Sequence, residues 1–485
     1  MNRSTFLTFL SLTVIELLSP ALADVRLPKI FGSNMVLQQE KPIVVWGWDA
    51  PGTMVSLKLG DQSVQVTANG QGEWKAALPA MSADGKTYAL TVQGTSSVTF
   101  DNILVGEVWL ASGQSNMEFP LAATLNGKAD VAAADYPNIR IIRAEKKVDP
   151  KPQPDINSDA AWHICSPTTV TLTGEPFFFG FSGVAYFFGR ELYNHLNVPI
   201  GLIESSEGGS IIEAWTPPEA FAAAPSVYEK KPERMWPPPS QLYNGMIHPL
   251  APISVRGMIW YQGESNNTDG AAYKDKMKNL VDSWRKSWGD DFPFYFVQIG
   301  ALDLPKNSPT ALPELWEAQA AAAREIPNSG MVVINDISRS HGDTGGLVLH
   351  PPDKLEVGKR LALLALANTY GQKNLVASGP TFQSMTLADA EIHVTFDQVG
   401  GGLVSRDNKP LTDFEIIDAD QGGFVPATAV ISGSTVVLTA PSVSKPVAMR
   451  FAWTNTATPN LMNKEGLPAG AFRAGNVPER LAPKN

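Results

Sequence analysis

A single cysteine, Cys165, stands in a chain of 485 residues. One thiol cannot close an intrachain disulfide, and it cannot build a cysteine-based metal site. Histidine is equally sparse. His163, His195, His248, His341, His350 and His393 are scattered, and no two stand four apart as on a zinc-binding helix. There is no dense run of Lys or Arg, and the formal net charge is −10, which argues against nucleic acid as a partner. Beyond the N-terminal segment, no apolar run is long enough to cross a bilayer. No internal repeat is found. A metal-free reaction is therefore the expectation. A hydrophobic content of 44% against 18% charged residues fits a folded chain with ample core, and the length suggests two to four domains.

The N-terminal segment has the layout of a targeting signal. Arg3 gives a positive start, Phe6 to Leu18 is largely apolar apart from Ser11 and Glu16, and Ala21-Leu22-Ala23 offers small residues before Asp24. Residues 1–23 are accordingly expected to be a signal peptide. The remainder is expected to be exported, periplasmic or secreted, with no membrane association after cleavage.

Residues 24–101 carry short β-like runs, such as Ile43–Trp48, Met54–Leu59 and Ser63–Val66, set apart by Ala50-Pro51-Gly52, Gly60-Asp61 and Asn69-Gly70. That rhythm predicts a small β-sandwich-like domain. From 102 to 374 strands alternate with helices. Val105–Leu110, Ile139–Arg143, Pro199–Ile203, Gly257–Tyr261, Phe294–Ile299 and Met331–Ile334 read as strands. Tyr273–Trp288 places Tyr273, Met277, Leu280, Val281, Trp284 and Trp288 on one helical face, with Gly289 as the stop. Asp353 and Glu356 form a capping box that opens a second helix running to about Tyr370. The pattern predicts an α/β domain with a doubly wound parallel sheet. Residues 375–485 return to β-type runs, Ile392–Phe396 and Thr435–Thr439 among them. Proline-rich stretches at 150–154 and 232–239 read as ordered loops or insertions.

In open α/β sheets ligands bind beyond the carboxyl ends of the strands. Ser115 follows the first strand of the central domain, in Gly113-Gln114-Ser115-Asn116. Gly208-Gly209 follows Ile200–Glu204, Gln262-Gly263-Glu264 follows Met258–Tyr261, Asp336 follows Val332–Asn335, and His350-Pro351-Pro352 enters the capped helix. Each alone also describes an ordinary polar turn. Together they supply the parts for acyl transfer. A serine hydroxyl needs a base, and His350 is that base. A carboxylate usually orients the histidine, and Asp336 and Asp343 are the candidates, since Asp353 is accounted for as a helix cap. The N–H groups of Ser115 and Gly209 can receive an oxyanion, with the Gln262 amide as a third donor. Glu264 reads either as part of the site or as a brace for the sheet edge.

These blocks resemble the sialate O-acetylesterase group of SGNH hydrolases. The resemblance is carried by Gly113-Gln-Ser-Asn-Met117, Gly208-Gly209, Trp260-Tyr-Gln-Gly-Glu-Ser265 and His350-Pro-Pro-Asp-Lys354. Tyr243-Asn-Gly-Met246, Val184–Arg190 and Gly466-Leu-Pro468 support it, so that it spans roughly 25–475. It implies a flavodoxin-like three-layer SGNH domain flanked by β domains, and cofactor-free hydrolysis of O-acetyl esters on sugars. Ser115 would be the nucleophile and His350 the base, with Ser115, Gly209 and Gln262 forming the oxyanion hole. Tyr243 and Asn244 lie in a family-like segment and are expected either to touch the sugar or to support the site. Two departures stand out. Met117 follows where a G-x-S-x-G elbow has glycine, and Leu347 stands three residues before His350, where many SGNH enzymes carry aspartate. The acid is therefore Asp336 first, Asp343 second, or absent in a Ser-His dyad. Trp215, Trp236 and Trp260 either stack on pyranose rings or belong to the core. The expected substrate is an acetylated carbohydrate: plant cell-wall polysaccharide such as xylan or xyloglucan, or alternatively an acetylated sialic acid. A non-catalytic glycan-binding protein is the reading from another class. A lipase or thioesterase is disfavoured because no amphipathic lid is evident.

Overall fold

The computed structural model describes residues 24–144, 146–156, 160–172, 180–229, 236–340, 345–420 and 422–477. The expected signal peptide, His341, Asp343 and part of the proline-rich 232–239 stretch lie outside them.

The N-terminal part is built from β1 (Val36–Gln38), β2 (Ile43–Trp48), β3 (Met54–Leu59), β4 (Gln62–Thr67), β5 (Glu73–Leu78), β6 (Tyr88–Gln93) and the first half of β7 (Ser97–Gly113). Strands β2 and β5 pair with each other, while β4, β3, β6 and β7 form an antiparallel run. The expected boundary at 101–102 falls inside β7. Its burial pattern alternates from Ser97 to Asn102, as in a half-exposed strand, and from Ile103 to Gly113 every residue is buried. The change of environment is real, but a single unbroken strand spans it.

The central sheet continues with β8 (Tyr136–Arg143), β9 (His163–Cys165), β10 (Ile200–Ser206), β11 (Gly257–Tyr261), β12 (Phe294–Val297) and β13 (Ser329–Val332). The strand order is β13-β12-β11-β7-β10-β8-β9, parallel throughout except for β9. The helices are α1 (Ser115–Glu118), α2 (Gly127–Ala132), α3 (Gly183–Leu196), α4 (Pro218–Ala223), α5 (Ala272–Trp288), α6 (Ala311–Glu325) and α7 (Lys354–Asn368). The helices α3 and α7 pack together on one face, where Trp109 meets Phe188 edge-on. The other face carries α5 and α6, with Trp260 edge-on to Trp284.

Sequence signals account for these helices. The α5 stripe Tyr273, Met277, Leu280, Val281 and Trp284 is buried, Trp288 in the last turn is only partly buried, and Gly289 closes the helix at φ +65°. The Asp353 side chain accepts from the Glu356 amide and starts α7. After α7 the chain forms antiparallel sheets, one from 381–388, 391–397, 435–439 and 428–432, another from 414–418, 446–451 and 472–475. This β part abuts the central domain where Asn335 donates to Ala457 O and Leu312 N donates to the Asn455 side chain.

Candidate active site

The register of the sheet brings three strand ends level. Gly113 of β7 pairs with Ser206 of β10 on one side and Tyr261 of β11 on the other. A side chain at 113 could not fit: a Cβ there would lie 2.2 Å from Tyr261 O, and φ is +139°. The chain then turns sharply. The Gln114 amide donates to Tyr261 O, the Glu207 amide donates to Gly113 O, and Ser115 becomes the first residue of α1. Ser115 is 7% exposed.

His350 Nε2 stands 2.8 Å from Ser115 Oγ. Its ring lies beside Phe119. Burial, with the charge of Lys354, pushes the His350 pKa down to about 4, so the imidazole is neutral and ready to accept the serine proton. Lys354 is itself fully buried. Burial brings its pKa down to about 7, against the opposing pull of Glu264 and Asp353. Its Nζ sits over the rings of Phe119 and Tyr261 and donates to Asn116 Oδ1. Asn116 Nδ2 in turn donates to Glu264 Oε1 and to Leu349 O. The residue after the nucleophile thus pins the residue before the base.

The Gly208–Gly209 turn is fastened from the nucleophile's own helix. Glu118, with no exposed surface, accepts from the Gly208 amide at 2.9 Å through Oε2 and from Arg143 at 2.7 Å through Oε1. A Cβ on Gly208 would lie 3.6 Å from Ser115 Cβ, which places this turn directly against the serine. Gly209 has φ +72° and open space where a side chain would be. Among the described residues, neither Ser115 N–H nor Gly209 N–H donates to a protein acceptor.

Two expectations, at Gln262 and Asp336, are corrected, and at the other residues one of the two readings is selected. Gln262 is fully buried, and both of its amide hydrogens are committed, to Ser210 O and Asn266 Oδ1, while its carbonyl accepts from Tyr273. It has no donor left for an oxyanion. Asp336 does not orient His350: its two oxygens take a bidentate pair from Arg360 at 2.7 and 2.6 Å. Tyr243 and Asn244 are buried braces. The Tyr243 hydroxyl pairs with Ser287, and Asn244 Nδ2 donates to Asp149 O. Trp215 and Trp260 are wholly buried and meet each other edge-on, so they are core; Trp236 is 49% exposed. Glu264 braces Asn116, with its carboxyl pKa raised by burial.

Asn116, Glu118 and Lys354 were missed at the level of sequence. Their signal was polarity inside otherwise apolar or small-residue surroundings next to the serine and one helical turn after the histidine. A hydroxyl against a neutral imidazole, with two backbone donors unengaged beside it, is equipped for acyl transfer.

Residues 105–367 match the model of a family described as carbohydrate esterase, sialic acid-specific acetylesterase. Human sialate O-acetylesterase is 31% identical over 471 residues, covering 88% of this chain and 87% of that protein. The mouse enzyme is 30% identical over 502 residues, covering 88% and 89%. Among solved structures, a carbohydrate acetylesterase from Xanthomonas citri superposes with a TM-score of 0.84 at 34% identity, over 94% of this chain and 100% of that one.

Proposed function

Because the chain belongs to the sialic acid-specific acetylesterase family of carbohydrate esterases, a family of carboxylic ester hydrolases, we propose that it deacetylates glycans through an acetyl-Ser115 intermediate. The observation that carries this mechanism is the 2.8 Å approach of His350 Nε2 to Ser115 Oγ. His350 takes the hydroxyl proton as Oγ attacks the acetyl carbonyl. The oxyanion is received by Ser115 N–H and Gly209 N–H. The C–O bond to the sugar breaks, and the departing sugar oxygen takes the proton from His350. Water, deprotonated by the same imidazole, then releases acetate from Ser115. With Asp336 held by Arg360, the orienting carboxylate is assigned to Asp343.

The substrate is assigned as a neutral acetylated polysaccharide of the plant cell wall, such as xylan or xyloglucan, met after export of the chain. Two charge features support a neutral sugar. The net charge is −10, and the cations beside the Gly208 turn are already held, Arg143 by Glu118 and Lys146 between Glu118 and Glu207. The identity to sialate O-acetylesterases favours a second reading, acetylated sialic acid. Acetate release from acetylated xylan, xyloglucan and O-acetylated sialic acid separates the two. Faster turnover of the sialate would overturn the neutral-sugar assignment. Acetate release from none of them, with Ser115→Ala as the blank, would overturn the esterase mechanism.

A further inference from the structure

With Gln262 spent, the site has two backbone donors and no side-chain donor in the place expected. The side chain next to the nucleophile fills that gap. Gln114 Oε1 accepts from the backbone amides of Gly263 and Ser265 at 3.2 and 3.3 Å. Two N–H donors on one atom fix which end of the amide is oxygen. The other end, Nε2, has no protein acceptor among the described residues. Gln114 is only 2% exposed, yet Nε2 is not sealed off, and the little surface the residue keeps includes it. A buried amide rarely leaves its donor idle, because an unmet donor costs free energy. Here the donor is presented by the residue that precedes Ser115, at the mouth formed by β7 and β11, and its carbonyl is clamped by the turn that follows β11.

We propose that Gln114 Nε2 is the side-chain donor of the oxyanion hole, completing the frame begun by the Ser115 and Gly209 amides. The proposal rests on the acetylesterase reading and adds a catalytic residue to it. The clamp on Oε1 gives the donor a fixed direction before substrate arrives, which is the property that makes such donors effective. It also explains why Gln262 can be buried so deeply: its task is to hold Ser210, Asn266 and Tyr273 together beneath the turn.

The test is Gln114→Glu, which keeps an oxygen to accept from Gly263 and Ser265 but replaces the donor. With p-nitrophenyl acetate, kcat is expected to fall by about 100-fold while KM moves by less than about threefold. A kcat within about threefold of wild type would overturn the proposal, because it would leave Gln114 as a brace for the turn alone. A second measurement needs no variant. In a crystal structure of the wild-type enzyme with methylboronic acid bonded to Ser115, Gln114 Nε2 is expected at about 3 Å from a boronate oxygen. A separation beyond about 4 Å would exclude the hydrogen bond and the proposal with it. If wild-type protein releases nothing from the ester, the esterase reading fails and takes this inference with it. If wild type turns over and Gln114→Glu matches it, only this inference fails.

Discussion

Lys354, four residues beyond the base, donates to Asn116, the residue after the nucleophile, at 2.5 Å. The contact ties the entry of α7 to the nucleophile turn through a buried cation. It also brings a positive charge close enough to His350 to disfavour the imidazolium.

The pH dependence follows from the burial of His350 and, second to it, from that charge. His350 is a base only when neutral, and its pKa is held at about 4, so kcat/KM falls only as pH drops through about 4. Lys354 is charged below about 7, hence charged throughout that acid limb. Lys354→Met removes the like charge but leaves the burial, which is the larger cause. The acid limb of a kcat/KM profile is expected to move up from about 4 toward the ordinary histidine value of 6.5 without reaching it. An unmoved limb would show that burial alone sets the basicity.

Removing the nucleophile is expected to be more severe than any change at a supporting residue. Ser115→Ala should lower kcat for an acetyl ester by about six orders of magnitude, with an unchanged circular dichroism spectrum. His350→Ala should do nearly the same, and the double variant should cost little beyond either single one, since the two act as a unit.

The two aspartates should separate stability from catalysis. Asp336→Asn breaks a buried bidentate pair with Arg360, so denaturant unfolding is expected to show a loss of about 3–5 kcal/mol, with kcat per folded molecule near wild type. Asp343→Asn should leave the unfolding midpoint in place and lower kcat by about 10⁴-fold. The reverse pattern would return the orienting role to Asp336.

Glu118 fastens the Gly208 turn and Arg143 with one carboxylate. Glu118→Gln leaves a single acceptor oxygen for the two donors, so one bond is lost. The Gly209 amide then loses its fixed aim. About a tenfold fall in kcat with KM little changed is expected from steady-state kinetics.

The sequence was most legible where periodicity and local capping decide structure. Gly257–Tyr261, Ile43–Trp48, Met54–Leu59 and Thr435–Thr439 are strands with the expected ends, and the Asp353 cap and the Gly289 stop stand where their chemistry put them. The full length of β7 was not legible, because its first half alternates like an edge strand and its second half is buried throughout, so one element reads as two. In the site, strand ends and the histidine loop could be placed, and the structure brings Ser115 and His350 together. What pattern cannot reveal is which polar groups are already engaged. Asn266 lies four residues from Gln262 and Arg360 twenty-four from Asp336, and only the folded chain shows that each has taken its partner out of the chemistry. Asn116, Glu118 and Lys354 escaped notice for the same reason.

The unbroken β7 has a mechanical consequence. Its ladder bonds to β6 at one end and to β10 and β11 at the other belong to a single backbone, and Ser115 is two residues past its tip. The N-terminal β part cannot swing against the catalytic sheet without tearing one of those ladders. Heat should therefore melt the two together in one calorimetric transition. Any glycan gripped by the N-terminal part would be held at a fixed distance from the serine, as a ruler holds its marks.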